Sequence, residues 1–156
     1  MEIIGEMWAG SGGNGGQFFS AAPGDDVPRG PASLRILVAD DNRDQVLTLL
    51  SLLRGEGYEV RGVYGGQAAL DAGAEFEPDV YLVDIGMPGM SGYDVARKLR
   101  ELYGTTPVIV AITAYAQSSD KIAAQLAGFD HHVAKPFAAD TLLKLLKIIA
   151  AAPPRG

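Results

Sequence analysis

Several apolar segments of the sequence end in polar residues whose side chains can bind a metal ion or contact an anion. Asp40 and Asp41 follow the first such segment, and Asp84 ends another. Thr113 and Lys135 follow two later segments. Carboxylates are ligands for hard divalent cations, while hydroxyl and ammonium groups can neutralise phosphoryl oxygens. The set predicts a site for metal-assisted phosphoryl chemistry, if the fold brings the ends of these segments together.

The three carboxylates would repel one another if they met at one place. Two like charges ~4 Å apart repel by ~4 kcal/mol at an effective dielectric constant of ~20. Mg²⁺ relieves such repulsion, because it takes oxygen ligands in octahedral geometry while keeping some waters. We predict that Asp41 and Asp84 bind Mg²⁺ directly and that Asp40 acts through a bound water. The backbone carbonyl of Gly86 is predicted to supply a further oxygen.

Asp84 is the candidate nucleophile. An aspartate carboxylate can attack phosphorus and form an acyl phosphate, and the reaction then depends on neutralising charge on the transferring oxygens. Lys135 and the hydroxyl of Thr113 are predicted to do this from two sides. Thr113 is also a candidate sensor, because a phosphoryl oxygen gives its hydroxyl a new partner. The small Ala114 beside it leaves room for the phosphoryl group.

Five apolar segments predict the strands that must position these side chains. They cover residues 34–39, 58–64, 79–83, 107–112 and 129–134. Helical spacing of apolar residues predicts the intervening helices, over residues 43–54, 65–73, 92–102, 118–127 and 139–150. Asn42 is placed to cap the first helix, whereas Ala138 offers no capping side chain to the last. Val95, Leu99 and Leu102 are predicted to lie on one face of the third helix.

Apolar strands that alternate with helices form a parallel sheet covered on both faces. Right-handed crossovers then place the carboxyl end of every strand at one edge of the sheet. We predict an α/β fold, a flavodoxin-like doubly wound five-stranded parallel sheet of order 2-1-3-4-5 with five helices. In this order strands one, three, four and five run side by side, so the polar strand ends meet at the edge where such folds bind ligands.

The segments that carry these residues resemble the receiver domain of two-component response regulators. The matching stretches are LRILVADDN, DVYLVDIGMPGMSGYDVARKLR, VIVAITAY and AGFDHHVAKPF, followed by the closing helix. The resemblance covers residues 34–151. The segments DIGMPGMSGYDVA and AGFDHHVAKPF are most similar in sequence to receivers attached to the C-terminus of hybrid histidine kinases. This similarity would make the N-terminal segment a degenerate kinase tail and linker.

The resemblance implies a signalling function rather than that of an enzyme. A phosphoryl group would pass from the phosphohistidine of a histidine kinase or a histidine phosphotransfer protein to Asp84, with Mg²⁺ bound. Self-phosphorylation and self-dephosphorylation would be weak. The resemblance also implies a cis peptide bond between Lys135 and Pro136. Phosphorylation would shift the domain between two states and reshape the surface of helix four, strand five and helix five. This surface is the candidate homodimer interface.

Four residues near the predicted site are candidates for tuning the lifetime of the phosphorylated state. They are Gly86, Ala114, Tyr115 and His132. His132 lies three positions before Lys135, where the resembling family commonly has an aromatic switch residue. His131 and His132 are not predicted to chelate a metal together, because adjacent residues on a strand point to opposite faces.

The composition of the 156-residue chain suits a globular protein, with 47% hydrophobic and 21% charged residues. A net charge of −6 disfavours direct binding of nucleic acid. The absence of cysteine excludes disulfides and thiolate catalysis. No apolar run is long enough for a membrane helix and the N-terminus does not resemble a secretory signal, so no membrane insertion and a cytoplasmic location are expected.

The ends of the chain differ in composition from the domain. Residues 1–33 are rich in glycine and proline and are predicted to be a flexible tail or linker. Residues 152–156 are predicted to be a short C-terminal tail. Because the sequence ends at Gly156 without an output segment, we expect the output to be a partner surface, self-association or phosphate relay.

Two other function classes are left open by the residues. A phosphatase of the haloacid-dehalogenase type also uses an aspartate nucleophile, a threonine and a lysine. It needs a second aspartate two residues after the nucleophile, and here that position is Gly86. The other class is an interaction module that kept the fold and works independently of phosphorylation. Retention of all five site residues argues against that class.

Overall fold

Residues 34–114 and 117–153 are described by a computed structural model in which five strands alternate with five helices. The strands are β1 Arg35–Ala39, β2 Glu59–Val63, β3 Val80–Asp84, β4 Val108–Thr113 and β5 His131–Ala134. The helices are α1 Arg43–Gly55, α2 Gly66–Phe76, α3 Gly92–Tyr103, α4 Ser118–Ala127 and α5 Ala139–Ala151. Within these ranges, no helix combines the length and apolar composition of a transmembrane span.

All strand pairs are parallel, and the sheet order is β2-β1-β3-β4-β5. The predicted doubly wound fold is therefore confirmed. The register aligns the carboxyl ends: Ala39 pairs with both Val63 and Val83, and Thr113 pairs with Ala134. The residues that follow these strand ends consequently lie along one edge of the sheet.

Two apolar layers hold the helices on the sheet. Helices α1 and α5 cover one face, and helices α2, α3 and α4 cover the other. Strands β3 and β4 are buried along their whole length between the layers. Each fully buried Leu, Ile or Val side chain contributes ~1.5–3 kcal/mol to stability. Burial of this extent makes the central strands a rigid support for the side chains at their ends.

The helix starts follow local capping chemistry. The Asn42 side chain accepts a hydrogen bond from the Gln45 amide at 3.1 Å, which confirms the predicted cap of α1. Ser91 and Asp94 form a reciprocal capping box at the start of α3. Ala138 gives α5 no side-chain cap, as predicted. The loop after β3 is therefore tied to the first turn of α3.

One predicted helix end is wrong, and one apolar face is buried over only part of its length. Helix α2 continues to Phe76 instead of ending near Gly73. Gly73 lies inside this helix. A Cβ at Gly73 would collide with the Tyr81 hydroxyl, so the glycine makes room for a β3 side chain. Leu102 is 60% exposed, because the inward face of α3 runs through Val95 and Leu99 and ends before the last turn of the helix.

The two predicted tails lie largely outside the described residues. Residues 1–33 and 154–156 are not described, and Ala152 and Pro153 are exposed beyond α5. Tyr115, one of the candidate tuning residues, is also outside the described ranges.

Candidate functional site

Asp84 is the last residue of β3, at the carboxyl edge of the sheet. Only 9% of its surface is exposed. One carboxylate oxygen, Oδ1, accepts a hydrogen bond from the Gly86 amide at 3.3 Å and lies 3.6 Å from the Lys135 ammonium nitrogen. The carboxylate is thus nearly buried at the end of β3, with a cation beside it.

Lys135 bridges two of the carboxylates. Its Nζ lies 3.1 Å from Asp40 Oδ2, in addition to its contact with Asp84. The Lys135 amide donates to the Thr113 carbonyl at 2.7 Å, which extends the pairing of β4 and β5 by one residue and places the lysine at the sheet edge. The Lys135–Pro136 peptide bond is cis.

Asp40 is fixed by backbone contacts on both sides. Its amide donates to the Val63 carbonyl at 3.2 Å, and its Oδ1 accepts from the Asn42 amide at 2.9 Å. It is 3% exposed. Because one oxygen is committed to the backbone and the other to Lys135, the Asp40 carboxylate has a single defined orientation.

Asp41 completes a cluster of three carboxylates and is exposed to solvent. Asp40, Asp41 and Asp84 each offer one ligand atom, and these atoms lie within 4.8 Å of one another. An all-oxygen set with an open side suits a hard divalent cation that retains water ligands. Gly86, the other predicted ligand residue, is exposed at the same edge, where its amide donates to Asp84. The residues present therefore fit Mg²⁺.

The electrostatics of the site favour an added cation. Burial raises the pKa of Asp84, and the neighbouring Asp40 charge raises it further. Lys135 and the Gly86 amide oppose this rise but do not cancel it. The Lys135 ammonium thus compensates the negative charge of the carboxylates only in part. The charged form of Asp84 therefore destabilises the folded protein.

Thr113 and Ala114 lie on the β4 side of the site. Thr113 is fully buried at the end of β4, and Asp84 pairs with the residue directly before it, Ile112. Thr113 therefore lies one position beyond the level of Asp84 on the adjacent strand. Ala114 is exposed directly after it.

His131 and His132 are both half-buried on β5. They pair with Val110 and Ala111, which belong to the apolar layers on opposite faces of the sheet. The two imidazoles consequently project to opposite sides, in agreement with the alternation of the strand.

Gly92 packs against the carboxyl end of β3, and the sequence analysis did not identify it. A Cβ on Gly92 would lie 2.6 Å from Ile85 Cα and 2.7 Å from the Asp84 carbonyl oxygen. Its amide donates to the Ile85 carbonyl at 3.0 Å. Only a residue without a side chain allows α3 to begin this close to β3, and a glycine beside a capping serine is the signal that could have indicated it.

Comparison with known proteins places this geometry among receivers. A family model for the response regulator receiver domain matches residues 36–147. The chain is 44% identical over 112 residues to the transcriptional regulatory protein KdpE of Mycobacterium tuberculosis H37Rv, covering 72% of this chain and 49% of KdpE. It is 41% identical over 103 residues to the DNA-binding response regulator MtrA of Mycolicibacterium smegmatis, covering 66% of this chain and 44% of MtrA. The chain spans about half the length of these curated relatives.

Solved structures share the fold. A CheY-like response regulator receiver domain protein from Methanospirillum hungatei JF-1 matches with a TM-score of 0.71 and 26% identity, covering 76% of this chain and 94% of that one. The receiver domain of sensor histidine kinase PA1611 from Pseudomonas aeruginosa PAO1 matches with a TM-score of 0.70 and 29% identity, covering 77% and 99%. That structure has a magnesium ion coordinated in its active site cleft.

Proposed function

Because the chain belongs to the response regulator receiver domain family, we propose that it is a phosphoacceptor of two-component signalling, with Asp84 as the residue phosphorylated. The single observation that carries this proposal is the position of the Asp84 carboxylate. It lies at a strand end, 3.6 Å from the Lys135 ammonium and within the carboxylate cluster. Residues 34–151 form the receiver unit in this proposal, with 1–33 as a tail or linker and 152–156 as a C-terminal tail.

The transfer is a displacement at phosphorus. A carboxylate oxygen of Asp84 forms the new P–O bond while the P–N bond to the donor histidine breaks. The electron pair of that bond leaves with the imidazole, which departs neutral when its second ring nitrogen carries a proton. The product is an acyl phosphate on Asp84. The donor is a histidine kinase or a histidine phosphotransfer protein.

The chain's own residues position and neutralise the transferring group. Lys135 already faces Asp84 and compensates charge on the phosphoryl oxygens, while Thr113 offers a hydroxyl from the adjacent strand. Asp41, Asp84 and the Gly86 carbonyl would hold Mg²⁺, with Asp40 acting through a water. Bound there, Mg²⁺ supplies Lewis-acid compensation of the negative charge on the phosphoryl oxygens. The magnesium-bound receiver of PA1611 supports this cofactor.

The phosphorylated state is a signal with a limited lifetime rather than an intermediate of rapid turnover. Gly86 is exposed beside Asp84 and presents no side chain to an attacking water. His132, Ala114 and Tyr115 are the other residues proposed to set this lifetime. Self-phosphorylation and self-dephosphorylation are weak in this proposal, so the domain is not a phosphatase. The absence of an acid side chain at Gly86 agrees with that.

The signal is proposed to leave through the surface of α4, β5 and α5. Three large apolar side chains on its helices are exposed: Ile122 by 57%, Leu126 by 84% and Ile148 by 65%. An apolar surface of this kind supports self-association as a homodimer. The receiver itself is not proposed to bind nucleic acid, and the relatives KdpE and MtrA, the second of them a DNA-binding response regulator, extend beyond the matched region.

The context of the domain is proposed from its likeness to two kinds of protein. The sequence segments DIGMPGMSGYDVA and AGFDHHVAKPF and the likeness to the PA1611 receiver support a domain that works with, or within, a hybrid histidine kinase. The likeness to KdpE and MtrA supports a stand-alone response regulator instead. In either context the domain is proposed to be cytoplasmic. The mass of the natural polypeptide under denaturing conditions would distinguish them, because a hybrid kinase carries its kinase segment in the same chain.

Phosphorylation at Asp84 is tested with a small donor. We expect acetyl phosphate and Mg²⁺ to add the mass of one phosphoryl group to the wild-type domain, and the adduct to be labile in base. Asp84→Asn should give no adduct. Asp71→Asn is the matched control, because Asp71 is exposed on α2, where it accepts a hydrogen bond from Gln67. An adduct of equal yield on Asp84→Asn would refute the assignment.

A further inference from the structure

Arg43 and Tyr64 form a stacked pair beside the site. The guanidinium carbon of Arg43 lies 4.4 Å from the centroid of the Tyr64 ring. Arg43 is the first residue of α1, two positions after Asp41, and Tyr64 directly follows β2. Tyr64 is 36% exposed, so part of its side chain is accessible to solvent. The pair was not singled out by any sequence motif.

The backbone places this pair at the rim of the carboxylate cluster. The Asp40 amide donates to the Val63 carbonyl at 3.2 Å, so the residue after Val63 emerges next to Asp40. In the sheet order β2-β1-β3-β4-β5, the Arg43–Tyr64 pair flanks the cluster on the β2 side. Lys135 flanks it from β5 on the other side. The carboxylates therefore lie between two cations.

The two cations differ in what they contact. The Lys135 ammonium is engaged by Asp40 and Asp84 and its side chain is 24% exposed. Arg43 is exposed, and in the described part of the chain no carboxylate forms an ion pair with it. An aromatic ring holds a guanidinium by its face, which leaves the in-plane N–H donors directed outward. A fork of this kind matches two oxygens of a phosphoryl group.

We propose that Arg43, oriented by Tyr64, is a donor-recognition residue that binds phosphoryl oxygens of the incoming phosphodonor at the rim before transfer to Asp84. This deepens the proposed function and rests on it. The ligand class is a dianionic phosphoryl donor. Arg43 acts at the encounter step, because an exposed rim charge governs the association rate and its salt dependence. After transfer, Lys135 and Thr113 contact the phosphoryl group, so Arg43 does not affect hydrolysis.

The test measures the rate of Asp84 phosphorylation against acetyl phosphate concentration at saturating Mg²⁺. Arg43→Ala should lower the second-order rate constant by about three- to tenfold and flatten its dependence on salt. Arg43→Lys keeps the positive charge but lacks the planar pair of donors, so its rate constant should lie between those of wild type and Arg43→Ala. Arg54→Ala is the matched control, since it removes the same charge from the opposite end of α1. The rate of hydrolysis after removal of the donor should be the same in wild type and Arg43→Ala.

Substitutions of the ring test the orienting role separately. Tyr64→Leu leaves the charge but removes the aromatic face, and it should lower the rate constant by about two- to fivefold. Tyr64→Phe keeps the aromatic face, so its rate constant should decrease less than that of Tyr64→Leu. Circular dichroism and a Mg²⁺ titration on each variant check the fold and the metal affinity.

Several outcomes would overturn the inference. Arg43→Ala with an unchanged rate constant and salt dependence would exclude Arg43 as a donor contact. An equal loss in Arg54→Ala would reduce the effect to overall charge, and a loss explained by weaker Mg²⁺ binding would assign Arg43 to the metal site. These results are distinct from failure of the proposed function, which would appear as no adduct on wild type or as an adduct on Asp84→Asn.

Discussion

The ammonium nitrogen of Lys135 lies 3.6 Å from the carboxylate oxygen Oδ1 of Asp84, and the same ammonium lies 3.1 Å from Asp40. One cation thus serves two nearly buried carboxylates, with Asp41 as a third acid at the rim. The Lys135 ammonium therefore compensates only part of the negative charge around Asp84. The site keeps negative charge that a metal ion can complement, and it keeps an ammonium where phosphoryl oxygens would arrive.

Replacing Asp84 by asparagine should stabilise the metal-free domain. Burial and the Asp40 charge raise the pKa of Asp84, so its charged form is disfavoured in the folded state. We expect Asp84→Asn to raise the free energy of unfolding at pH 7 on the order of 1 kcal/mol, since Lys135 offsets part of the repulsion. Urea unfolding in EDTA measures this.

The pH dependence of that gain has a definite sign. Because the folded-state pKa lies above the ordinary value of 3.8, the destabilisation is full above the folded-state pKa. It decreases as the pH falls through that pKa and vanishes below the unfolded value, where both states carry the proton. The advantage of Asp84→Asn should therefore shrink on acidification. An advantage that grows toward low pH would contradict the cause assigned here.

Mg²⁺ should stabilise the wild-type domain and require the carboxylate cluster. A ligand that binds only the folded state at one hundred times its dissociation constant adds about 2.7 kcal/mol. We expect thermal unfolding to shift upward with Mg²⁺ and to return after EDTA. Asp41→Asn should lose most of this shift, whereas Asp71→Asn, on the exposed face of α2, should retain it. An equal shift in Asp41→Asn would exclude Asp41 as a ligand.

Removing the Lys135 charge should weaken both the reaction and the metal-free fold. Lys135→Met leaves Asp40, which is 3% exposed, without its cation. We expect a loss of about 1–3 kcal/mol in the free energy of unfolding, together with a strong fall in the rate of Asp84 phosphorylation. In the double variant Lys135→Met, Asp84→Asn, part of the stability should return. Strictly additive losses would contradict a direct interaction of the two residues.

Gly92→Ala should destabilise the domain through a backbone collision. The added Cβ would meet Ile85 Cα at 2.6 Å and the Asp84 carbonyl oxygen at 2.7 Å, and neither can move without shifting β3 or α3. We expect a loss of about 1–3 kcal/mol. Gly55→Ala is the control, because nothing lies within 4 Å of its Cβ at the end of α1. Comparable losses at both positions would point to a general effect of glycine replacement.

The fold and the site differ in how far the sequence predicts them. Strand ends such as Asp84 and Lys135 were predicted to meet, because alternation of apolar segments and right-handed crossovers determine which edge they share. The interior position of Gly73 could not be predicted, since it depends on where the Tyr81 hydroxyl arrives from another element. The pairing of Arg43 with Tyr64 is likewise a tertiary contact between segments that share no motif.

Mapping the modified residue shows whether Asp84 is the phosphoacceptor. The domain is incubated with a phosphorylated histidine kinase and Mg²⁺, the acyl phosphate is reduced with borohydride, and the peptides are sequenced by mass spectrometry. Reduction converts a phosphorylated aspartate to homoserine, and we predict homoserine at position 84 alone. Homoserine at Asp40 or Asp41, or a phosphoryl group retained on Asp84→Asn, would contradict the assignment of Asp84 as the phosphoacceptor.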